Sequence, residues 1–438
     1  MNRFEERDKR TKWFMEDRFG MFIHWGLYCI PARGEWVMSD EQIKKVDYVK
    51  FFDEWNPIYY DAKAWAKAAK NAGMKYAVLT TKHHEGFCLF DSQYTDYKST
   101  NTKCGRDLVR EFVDAFRAEG LKVGFYYSLL DWHHPEYPAY GDMYHAERNN
   151  IERKDEPRNF DIYLDYLHNQ VRELMTNYGK IDLLWFDFSY EGHLGEDWRG
   201  TELVNMVREL QPDIIMNGRL EANGESYGSI MTDDPNPFAG DFACPEMIIP
   251  PYGLKTPSGH PIPWEACFTL DNNWGYTPTD RHHKTASQII KKLVECTSKN
   301  GNMIVNVSPT PKGEIPKWQL DILAEVGEWM HDNGDSIYGC GSSGIDKPEW
   351  GRYTMKGNKL YAHLMDECIG AVALPGIDGR LKKARKLSDG TELLIQTPWV
   401  AKEFPGYAFV NYGRPDYFSF HMDDTCDNVL ELELEERL

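Results

Sequence analysis

The sequence predicts an α/β protein in which a (β/α)8-like, TIM-type barrel is followed by a small C-terminal antiparallel β-sandwich. Short apolar runs alternate with amphipathic segments from about Arg18 to Tyr338. The runs are apolar on both faces, as in a parallel sheet that helices cover on each side. After about Gly344 the helical period disappears, which predicts a barrel domain at residues 1–343 and a β-sandwich domain at residues 344–438.

About eight short apolar segments are predicted as the barrel strands, a number that favours a barrel over an open doubly wound sheet. No glycine-rich nucleotide turn follows the first of them. We expect the fifth to seventh units to be irregular, because a long loop-rich stretch runs through Gly240. In chain order the segments are "GMFIHWG", "KYAVLTT", "KVGFYYSLL", "KIDLLWFDF", "DIIMNGR", "GDFACPE", "PWEACFTL" and "NMIVNVSP".

Helices are predicted between these strands wherever apolar residues recur three or four positions apart. In "YDAKAWAKAAKNAG" this spacing lies between Asp61, a suitable N-cap, and Gly73, a stop signal. The same spacing predicts helices in "RDLVREFVDAFRAEG", from Tyr163 to Tyr178, and in "TELVNMVRELQP", "TASQIIKKLVECTSKNG" and "PKWQLDILAEVGEWMHDNG".

The C-terminal region contains six short runs without helical period, separated by Gly, Pro and Asp. This pattern is typical of an antiparallel sandwich. The runs are "KLYAHLM", "AVALPG", "ELLIQTP", "YAFVNYG", "YFSFHM" and "NVLELELE".

Composition limits the classes of partner. The 438 residues include 50 Lys and Arg against 69 Asp and Glu, a formal net charge of −19. Such a field repels phosphate backbones and anionic lipid surfaces, so neither nucleic acid nor a membrane is an expected partner. Aromatic residues make up 14% of the chain, which is common where flat apolar faces stack on sugar rings, although large cores use them too.

The N-terminal segment and the cysteines favour a cytoplasmic protein. The segment "MNRFEERDKRTKWF" is charged, and no apolar core follows it as in an export signal. A signal removed beforehand would leave the same sequence. The nine cysteines are scattered without a CxxC motif, which favours reduced and mostly buried thiols.

Polar and aromatic side chains occur at the C-terminal ends of six predicted strands. In a parallel barrel these ends meet at one face, where the active site lies. Any one such residue is more often a cap or a hydrogen-bond partner than a catalyst, but six strand ends together predict one pocket. The residues are Phe22 and His24, His83 and His84, Tyr126 and Tyr127 with Asp131 beyond, Trp185 and Asp187, Asn217 and Arg219, and Glu246.

Asp187 is the first candidate for chemistry. In "LLWFDFSYEG" it follows directly on a buried apolar strand, where a carboxylate is costly unless donors or cations surround it. Trp185 lies two residues earlier and therefore faces the same side of the strand. A carboxylate beside an aromatic platform suits glycosyl transfer, in which one group attacks the anomeric carbon and another protonates the leaving oxygen.

The adjacent pair His83 and His84 raises the alternative of a metal site. Neighbouring residues on a strand point to opposite faces, so we do not expect both imidazoles to bind one ion. The chain has no HExxH motif, and the other "HH" pairs lack ligand spacing. We therefore expect no metal and no cofactor. A metal-dependent barrel hydrolase stays as an alternative that chelators would reveal.

Taken together, the motifs resemble those of α-L-fucosidases of glycoside hydrolase family 29. The resemblance covers the whole barrel, and the family's β-sandwich tail agrees with the C-terminal runs. An ordered series of motifs is far more specific than any one of them. The series is "WFMEDRFGMFIHWGLY", "GEWV", "AGMKYAVLTTKHHEGFCLF", "YTDYKST", "RDLV", "VGFYYSLLDW", "LLWFDF" and "KNGNMIVNVSP".

The resemblance implies a retaining exo-α-L-fucosidase that removes terminal α-L-fucose from oligosaccharides or glycoconjugates through a covalent fucosyl-enzyme. It implies that Asp187 is the nucleophile, that Arg219 reaches toward the sugar and the carboxylate, and that Trp274 lies against the fucose methyl group. A neutral sugar with hydroxyls and one methyl group suits neutral His and Tyr beside Trp and Phe. The other residues that resemble fucose contacts are Phe22, His24, Glu35, Trp36, His83, His84, Tyr126 and Trp185.

The general acid/base is placed by the resemblance in a variable region after the fifth strand. Glu246 in "GDFACPEM" fits the family's short motif ending in Pro-Glu or Ala-Glu, whereas Glu265 in "PWEAC" and Glu221 are its rivals. The segment "FSYEG" follows Asp187 where the family commonly has a glycine, so we expect the leaving-group side to differ.

Two other functions stay open on the sequence alone: an α-L-galactosidase with the same mechanism, which differs only at C6, and a fucose-binding protein without catalysis. The sequence leaves the linkage specificity open, because it depends on loops at residues 131–159 and 224–263. It leaves the oligomeric state open as well.

Overall fold

The computed structural model describes residues 3–368, 370–412 and 426–436. Its largest element is a parallel sheet whose strands are buried along almost their whole length. The strands are β1 (Phe19–Ile23), β2 (Tyr76–Lys82), β3 (Lys122–Ser128), β4 (Leu183–Asp187), β5 (Ile215–Met216), β6 (Glu265–Thr269) and β7 (Asn302–Val307). Their spatial order is β5-β4-β3-β2-β1-β7-β6.

An irregular segment at residues 242–246 lies between the two edges of this sheet. Isolated parallel bridges connect it to Asn217 after β5 and to Trp264 and Cys267 on the β6 side. The segment therefore closes the sheet into a barrel and takes the place of an eighth strand. The predicted barrel is confirmed, but "GDFACPE" does not form a regular strand because only single bridges join it to its neighbours.

Helices precede the first strand and follow most of the others. They are α1 (Arg3–Asp17), α2 (Val37–Asp40), α3 (Lys45–Tyr48), α4 (Lys50–Glu54), α5 (Ala62–Asn71), α6 (Leu108–Ala118), α7 (Phe160–Asn177), α8 (Gly200–Leu210), α9 (Ala286–Ser298) and α10 (Lys317–Asn333). The predicted cap of α5 is confirmed, since the Asp61 carboxylate accepts hydrogen bonds from the backbone N–H groups of Lys63 and Ala64. Within the described ranges, none of the helices is long and apolar enough to cross a bilayer.

Helix α1 was not predicted, and it closes the amino-terminal end of the barrel. The Phe14 ring lies 4.8 Å from the ring of Phe242 and 5.6 Å from that of Tyr76. The side-chain amide of Asn302, at the start of β7, donates a hydrogen bond to the Phe14 carbonyl at 2.7 Å. These contacts leave the opposite end of the barrel, where the strands terminate, as its open end.

Two antiparallel sheets follow the barrel. Their strands are β8 (Gly351–Lys356), β9 (Lys359–Leu364), β10 (Val372–Pro375), β11 (Leu381–Lys386), β12 (Leu394–Ile395), β13 (Tyr407–Asn411) and β14 (Asn428–Leu434). The orders are β11-β14-β9-β8 and β10-β13-β12. Apolar residues of both sheets, such as Leu430 and Val410, share one buried core, as in a sandwich.

Strands β8 and β11 were not predicted. Strand β11, "LKKARK", is an edge strand in which only Ala384 is buried, so its charged sequence lacks the apolar alternation of a strand. The predicted run "YFSFHM" lies outside the described residues. The domain boundary between residues 343 and 344 stays a prediction; α10 ends at Asn333 and β8 begins at Gly351.

Candidate active site

One small cavity, with a volume of about 60 Å³, lies at the carboxyl ends of the barrel strands. Its floor is buried, whereas Glu35, Trp36, Trp274 and Glu246 lie at its mouth and are partly exposed. Every residue that the family resemblance names lines it, although their individual roles stay predictions. Three of the predicted strand-end residues do not line it: Tyr127 donates a hydrogen bond to Gln170, Asp131 pairs with Lys82, and Asn217 binds the Phe186 backbone. The lining consists of Phe22, His24, Glu35, Trp36, His83, His84, Tyr126, Trp185, Asp187, Phe188, Arg219, Glu246 and Trp274.

Asp187 is the last residue of β4, and its carboxylate is held from both sides. The Tyr126 hydroxyl donates to Oδ2 at 2.8 Å, and Arg219 Nη1 donates to Oδ1 at 2.8 Å. Burial raises the pKa of Asp187 above 3.8, and the positive charge of Arg219 opposes that rise. The guanidinium of Arg219 lies 4.5 Å from the centre of the Trp185 ring, which fixes its plane.

Glu246 binds the other arm of the same guanidinium. Arg219 Nη2 donates to Glu246 Oε2 at 2.6 Å, and the indole nitrogen of Trp274 donates to Oε1 at 3.1 Å. Burial raises the pKa of Glu246, but the charge and hydrogen bond of Arg219 outweigh it and bring the pKa below 4.5. Arg219 therefore joins the two carboxylates and keeps Glu246 ionised at the mouth of the cavity.

The two rival carboxylates do not line this cavity. Glu265 is fully buried at the start of β6, where it accepts a hydrogen bond from the Tyr76 hydroxyl and burial raises its pKa to about 8. Glu221 accepts hydrogen bonds from the amide and the hydroxyl of Ser229 at 2.9 and 2.7 Å. Of the three candidates, Glu246 shares the cavity with Asp187.

His83 and His84 both face the cavity, and the expectation that they point to opposite faces is wrong. Strand β2 ends at Lys82, so the alternation of a strand does not extend to the two histidines. Their ring centres are 4.1 Å apart. In the described part of the chain, no three His, Cys, Asp or Glu side chains converge as ligands for an ion.

Both imidazoles are neutral hydrogen-bonding groups, because burial lowers the pKa of His83 and His84 well below 6.5. His84 Nδ1 lies 2.7 Å from the Ser128 hydroxyl, which leaves Nε2 at 3.8 Å from Asp187 Oδ2. His83 Nδ1 is buried without a hydrogen-bond partner. An orphaned polar atom in a cavity wall suits a ligand hydroxyl.

Asn306, which was not predicted, organises the opposite wall. Its side-chain oxygen lies 2.7 Å from His24 Nδ1, and its amide donates to the Trp274 carbonyl at 2.8 Å. Glu35 accepts hydrogen bonds from the backbone N–H groups of Trp274 and Gly275 at 3.1 and 2.9 Å. Together these contacts hold Trp274 over the cavity. A polar residue near the end of the apolar strand "NMIVNVSP" was the available signal.

Phe188 also lines the cavity, and the sequence did not single it out as a site residue. It follows Asp187 and has a φ of +81°, which is unusual for a residue other than glycine. The available signal was the absence of a glycine after the candidate nucleophile.

Comparison with known proteins agrees with this geometry. The family model of α-L-fucosidases matches residues 2–335. Human plasma α-L-fucosidase is 30% identical over 354 residues, which cover 74% of this chain and 68% of the human protein.

Solved structures extend the similarity to the whole fold. α-L-Fucosidase isoenzyme 1 from Paenibacillus thiaminolyticus is 60% identical, with a TM-score of 0.94 over 98% of this chain and 100% of that one. A family 29 α-L-fucosidase from Bacteroides thetaiotaomicron, trapped as a covalent intermediate with 2-fluoro-fucosyl fluoride in a glutamate-to-glutamine mutant, is 30% identical with a TM-score of 0.81 over 98% of this chain and 96% of that one. The family model and the shared fold show that the chain belongs to the α-L-fucosidases of glycoside hydrolase family 29.

Proposed function

We propose that this protein is a retaining exo-α-L-fucosidase acting on fucosylated oligosaccharides or glycoconjugates, with Asp187 as nucleophile and Glu246 as acid/base. The main support is that one guanidinium, that of Arg219, binds Asp187 at 2.8 Å and Glu246 at 2.6 Å. A retaining glycosidase needs two carboxyl groups about 5–5.5 Å apart, and a shared guanidinium keeps them close.

The chemistry takes two steps. In the first, an Asp187 oxygen attacks the anomeric carbon, the bond to the leaving oxygen breaks, and Glu246 gives that oxygen its proton. In the second, Glu246 removes a proton from water, the water oxygen bonds to the anomeric carbon, and the bond to Asp187 breaks. The Tyr126 hydroxyl, 2.8 Å from Asp187 Oδ2, orients the nucleophile.

Glu246 must change its surroundings before it can act as an acid. While it is bound to Arg219, the guanidinium lowers its pKa and keeps it ionised. A cavity of about 60 Å³ is also smaller than usual ligand pockets, so sugar entry requires the side chains at the mouth to move outward. Movement of Glu246 away from Arg219 opens the cavity and removes the charge that lowers its pKa, and the bound substrate then covers the carboxyl group and raises its pKa by desolvation.

The lining suits fucose better than an ion or a charged sugar. Neutral His24, His83 and His84 offer hydrogen bonds to ring hydroxyls, and Phe22 and Trp274 offer apolar faces to the methyl group. A fucose-binding protein without catalysis would not need a second carboxylate beside Asp187. The α-L-galactosidase alternative is not favoured, since the matching relatives carry the name α-L-fucosidase.

Replacement of Asp187 by glycine tests the nucleophile. We expect Asp187→Gly to lose several orders of magnitude in kcat on an aryl α-L-fucoside, because no covalent intermediate can form. Added azide should restore part of the turnover and yield a fucosyl azide. Asp96→Gly, which removes an exposed loop carboxylate, is the matched control. Near-normal activity of Asp187→Gly would contradict the assignment.

Replacement of Glu246 by alanine tests the acid/base. The rate of Glu246→Ala should fall far more with a poor leaving group, as in an alkyl fucoside, than with an activated nitrophenyl fucoside. Nitrophenolate can depart without being protonated. The measurement is kcat/KM for both substrates in the wild type and the variant. An equal loss on both would remove Glu246 from this role.

A further inference from the structure

A second cavity, of about 670 Å³, adjoins the fucose cavity. Both cavities are lined by Phe188, Arg219 and Glu246. Glu246 is the group that we assign to protonate the leaving oxygen, so that oxygen must lie beside Glu246, where the two cavities meet. A leaving group attached to that oxygen therefore enters the second cavity.

The lining of the second cavity indicates the chemistry of that leaving group. Tyr227, Met231 and Ile248 supply apolar surface, and Asn223 and Ser226 supply hydrogen-bonding groups. Among the described residues that line it, Arg219 is the only cation, and both of its arms already bind carboxylates. This combination fits the C–H faces and hydroxyls of a neutral sugar, and among these lining residues it offers no unpaired cation to a sulfate or a carboxylate.

Phe188 lines both cavities and is held in an unfavourable backbone conformation. With a φ of +81° it lies in a region that glycine tolerates and bulky residues avoid. Its neighbours fix this conformation: the Leu129 amide donates to the Asp187 carbonyl at 2.8 Å, and the Ser189 hydroxyl donates to the Arg219 carbonyl at 2.8 Å. Strain that the surroundings maintain at an active site indicates a role for the side chain.

The ring itself shows what that role is. Its centre lies 5.0 Å from the Trp36 ring at the mouth of the fucose cavity and 4.8 Å from the Tyr144 ring, which lines the second cavity. The side chain is half-buried, so one part packs in the wall while another borders the open space. A glycine would satisfy the backbone without strain and would leave this wall without a ring.

We propose that Phe188 is a specificity-determining residue: it forms the aromatic wall of a leaving-group subsite that binds a neutral sugar of the oligosaccharide to which fucose is attached. The inference rests on the proposed function, because Glu246 defines the direction of the leaving group. Discrimination among leaving groups then comes from stacking on Phe188 and from the apolar side chains across the cavity, whereas the fucose cavity recognises fucose.

The test compares two substrates that differ only in the use of the second cavity. α-L-Fucosyl fluoride has a leaving group too small to fill it, whereas a fucosylated neutral disaccharide occupies it. We expect Phe188→Ala and Tyr227→Ala each to lower the ratio of kcat/KM for the oligosaccharide to kcat/KM for the fluoride about tenfold, which corresponds to about 1.4 kcal/mol. Tyr59→Ala, which removes an exposed aromatic ring that lines neither cavity, should keep the wild-type ratio.

Each outcome decides a different point. A ratio that stays at the wild-type value in both cavity variants overturns the proposal, even if absolute rates fall. Failure of the wild type to hydrolyse the fluoride would instead overturn the proposed function. Faster cleavage of a sulfated oligosaccharide than of its neutral counterpart would overturn the assignment to neutral sugars.

Phe188→Gly should melt at a higher temperature than Phe188→Ala, since glycine alone tolerates the φ of +81°; the opposite order would show that the backbone at this position is not strained.

Discussion

Arg219 places two neighbouring carboxylates in different electrostatic situations. Asp187 is buried, which raises its pKa, and Glu246 lies nearer the solvent with its pKa lowered by the guanidinium. This is the reverse of what the proposed first step requires, since Asp187 as the proposed nucleophile must be ionised and Glu246 as the proposed acid must be protonated. Binding of the sugar must therefore redistribute the contacts of Arg219, and that redistribution has a measurable consequence for the pH dependence.

The basic limb of the kcat/KM profile should lie at lower pH than the basic limb of kcat. In the free enzyme Glu246 is paired with Arg219, so its pKa is below 4.5 and its protonated fraction falls as the pH rises through that value. Only kcat reports the complex, in which Glu246 has left Arg219 and keeps its proton to higher pH. Rates measured over a pH series with one aryl fucoside give both limbs, and coincident limbs would contradict the movement.

Histidine titration is not expected to shape either limb near neutrality. Burial lowers the pKa of His24 to about 4 and that of His83 and His84 well below 6.5. All three are neutral across the range in which free imidazoles change charge.

Most residues of the candidate site could be predicted from the sequence, because its motifs end at strand termini that a parallel barrel brings together. What could not be predicted depends on the exact end of a strand or on a backbone angle. His83 and His84 face the same cavity only because β2 ends at Lys82. Phe188 and Asn306 were missed because their signals, a non-glycine residue after Asp187 and a polar residue near the end of an apolar strand, do not show which side chains they contact.

Among the elements, the short strand β5 depends on a side chain to complete its pairing with β4. It has two residues, so the ladder ends early. Beyond that point the Asn217 side chain donates to the Phe186 carbonyl at 2.8 Å and accepts from the Phe186 amide at 2.9 Å. One amide side chain thus replaces a pair of backbone hydrogen bonds at the strand that carries Asp187.

Asn217→Ala should lower the free energy of unfolding by about 2–3 kcal/mol, because it leaves a buried N–H and a buried carbonyl unpaired. Urea unfolding of the variant measures the loss. Asn101→Ala, in which the truncated amide is exposed, is the control and should stay within about 0.5 kcal/mol of the wild type. A similar small change in Asn217→Ala would show that water or a shift of β5 replaces the two bonds.

The regular barrel elements were predictable from their apolar periods, whereas the irregular ones were not. Helix α1 packs through few apolar side chains, since only Arg7, Thr11 and Phe14 are buried. Strand β11 has a Lys- and Arg-rich sequence that protects an edge. The residues 242–246 close the barrel through single bridges, which no local pattern encodes.

At the scale of the whole molecule, a cluster of charges joins the barrel to the antiparallel sheets. Glu295 on α9 lies 2.9 Å from Arg352 on β8, 2.8 Å from Lys299 and 3.0 Å from Lys292. Burial raises the pKa of Glu295, but these three cations outweigh it and bring the pKa to about 2. The carboxylate therefore stabilises the folded chain in its ionised form.

Glu295→Gln should be less stable than the wild type at neutral pH by up to about 3 kcal/mol, the equivalent of a pKa lowered from 4.5 to about 2. Because the pKa is lowered in the folded state, this contribution is complete above pH 4.5 and disappears as the pH falls toward 2. Urea unfolding at pH 7, 4 and 3 follows the gap between the two proteins. Glu54→Gln, an exposed residue on α4, is the control, and a gap independent of pH would contradict the linkage.

The position of the fucose cavity at the end of the barrel also sets an order of events. Helix α1 and the buried floor close the far end, so on the proposed assignment the leaving group and the attacking water both use the side of the cavity where Glu246 lies. The leaving group must depart before water can reach the anomeric carbon, and the free sugar must depart before another chain end can enter. Turnover is then strictly sequential at each site, and accumulating fucose competes directly with the next substrate for the same binding site.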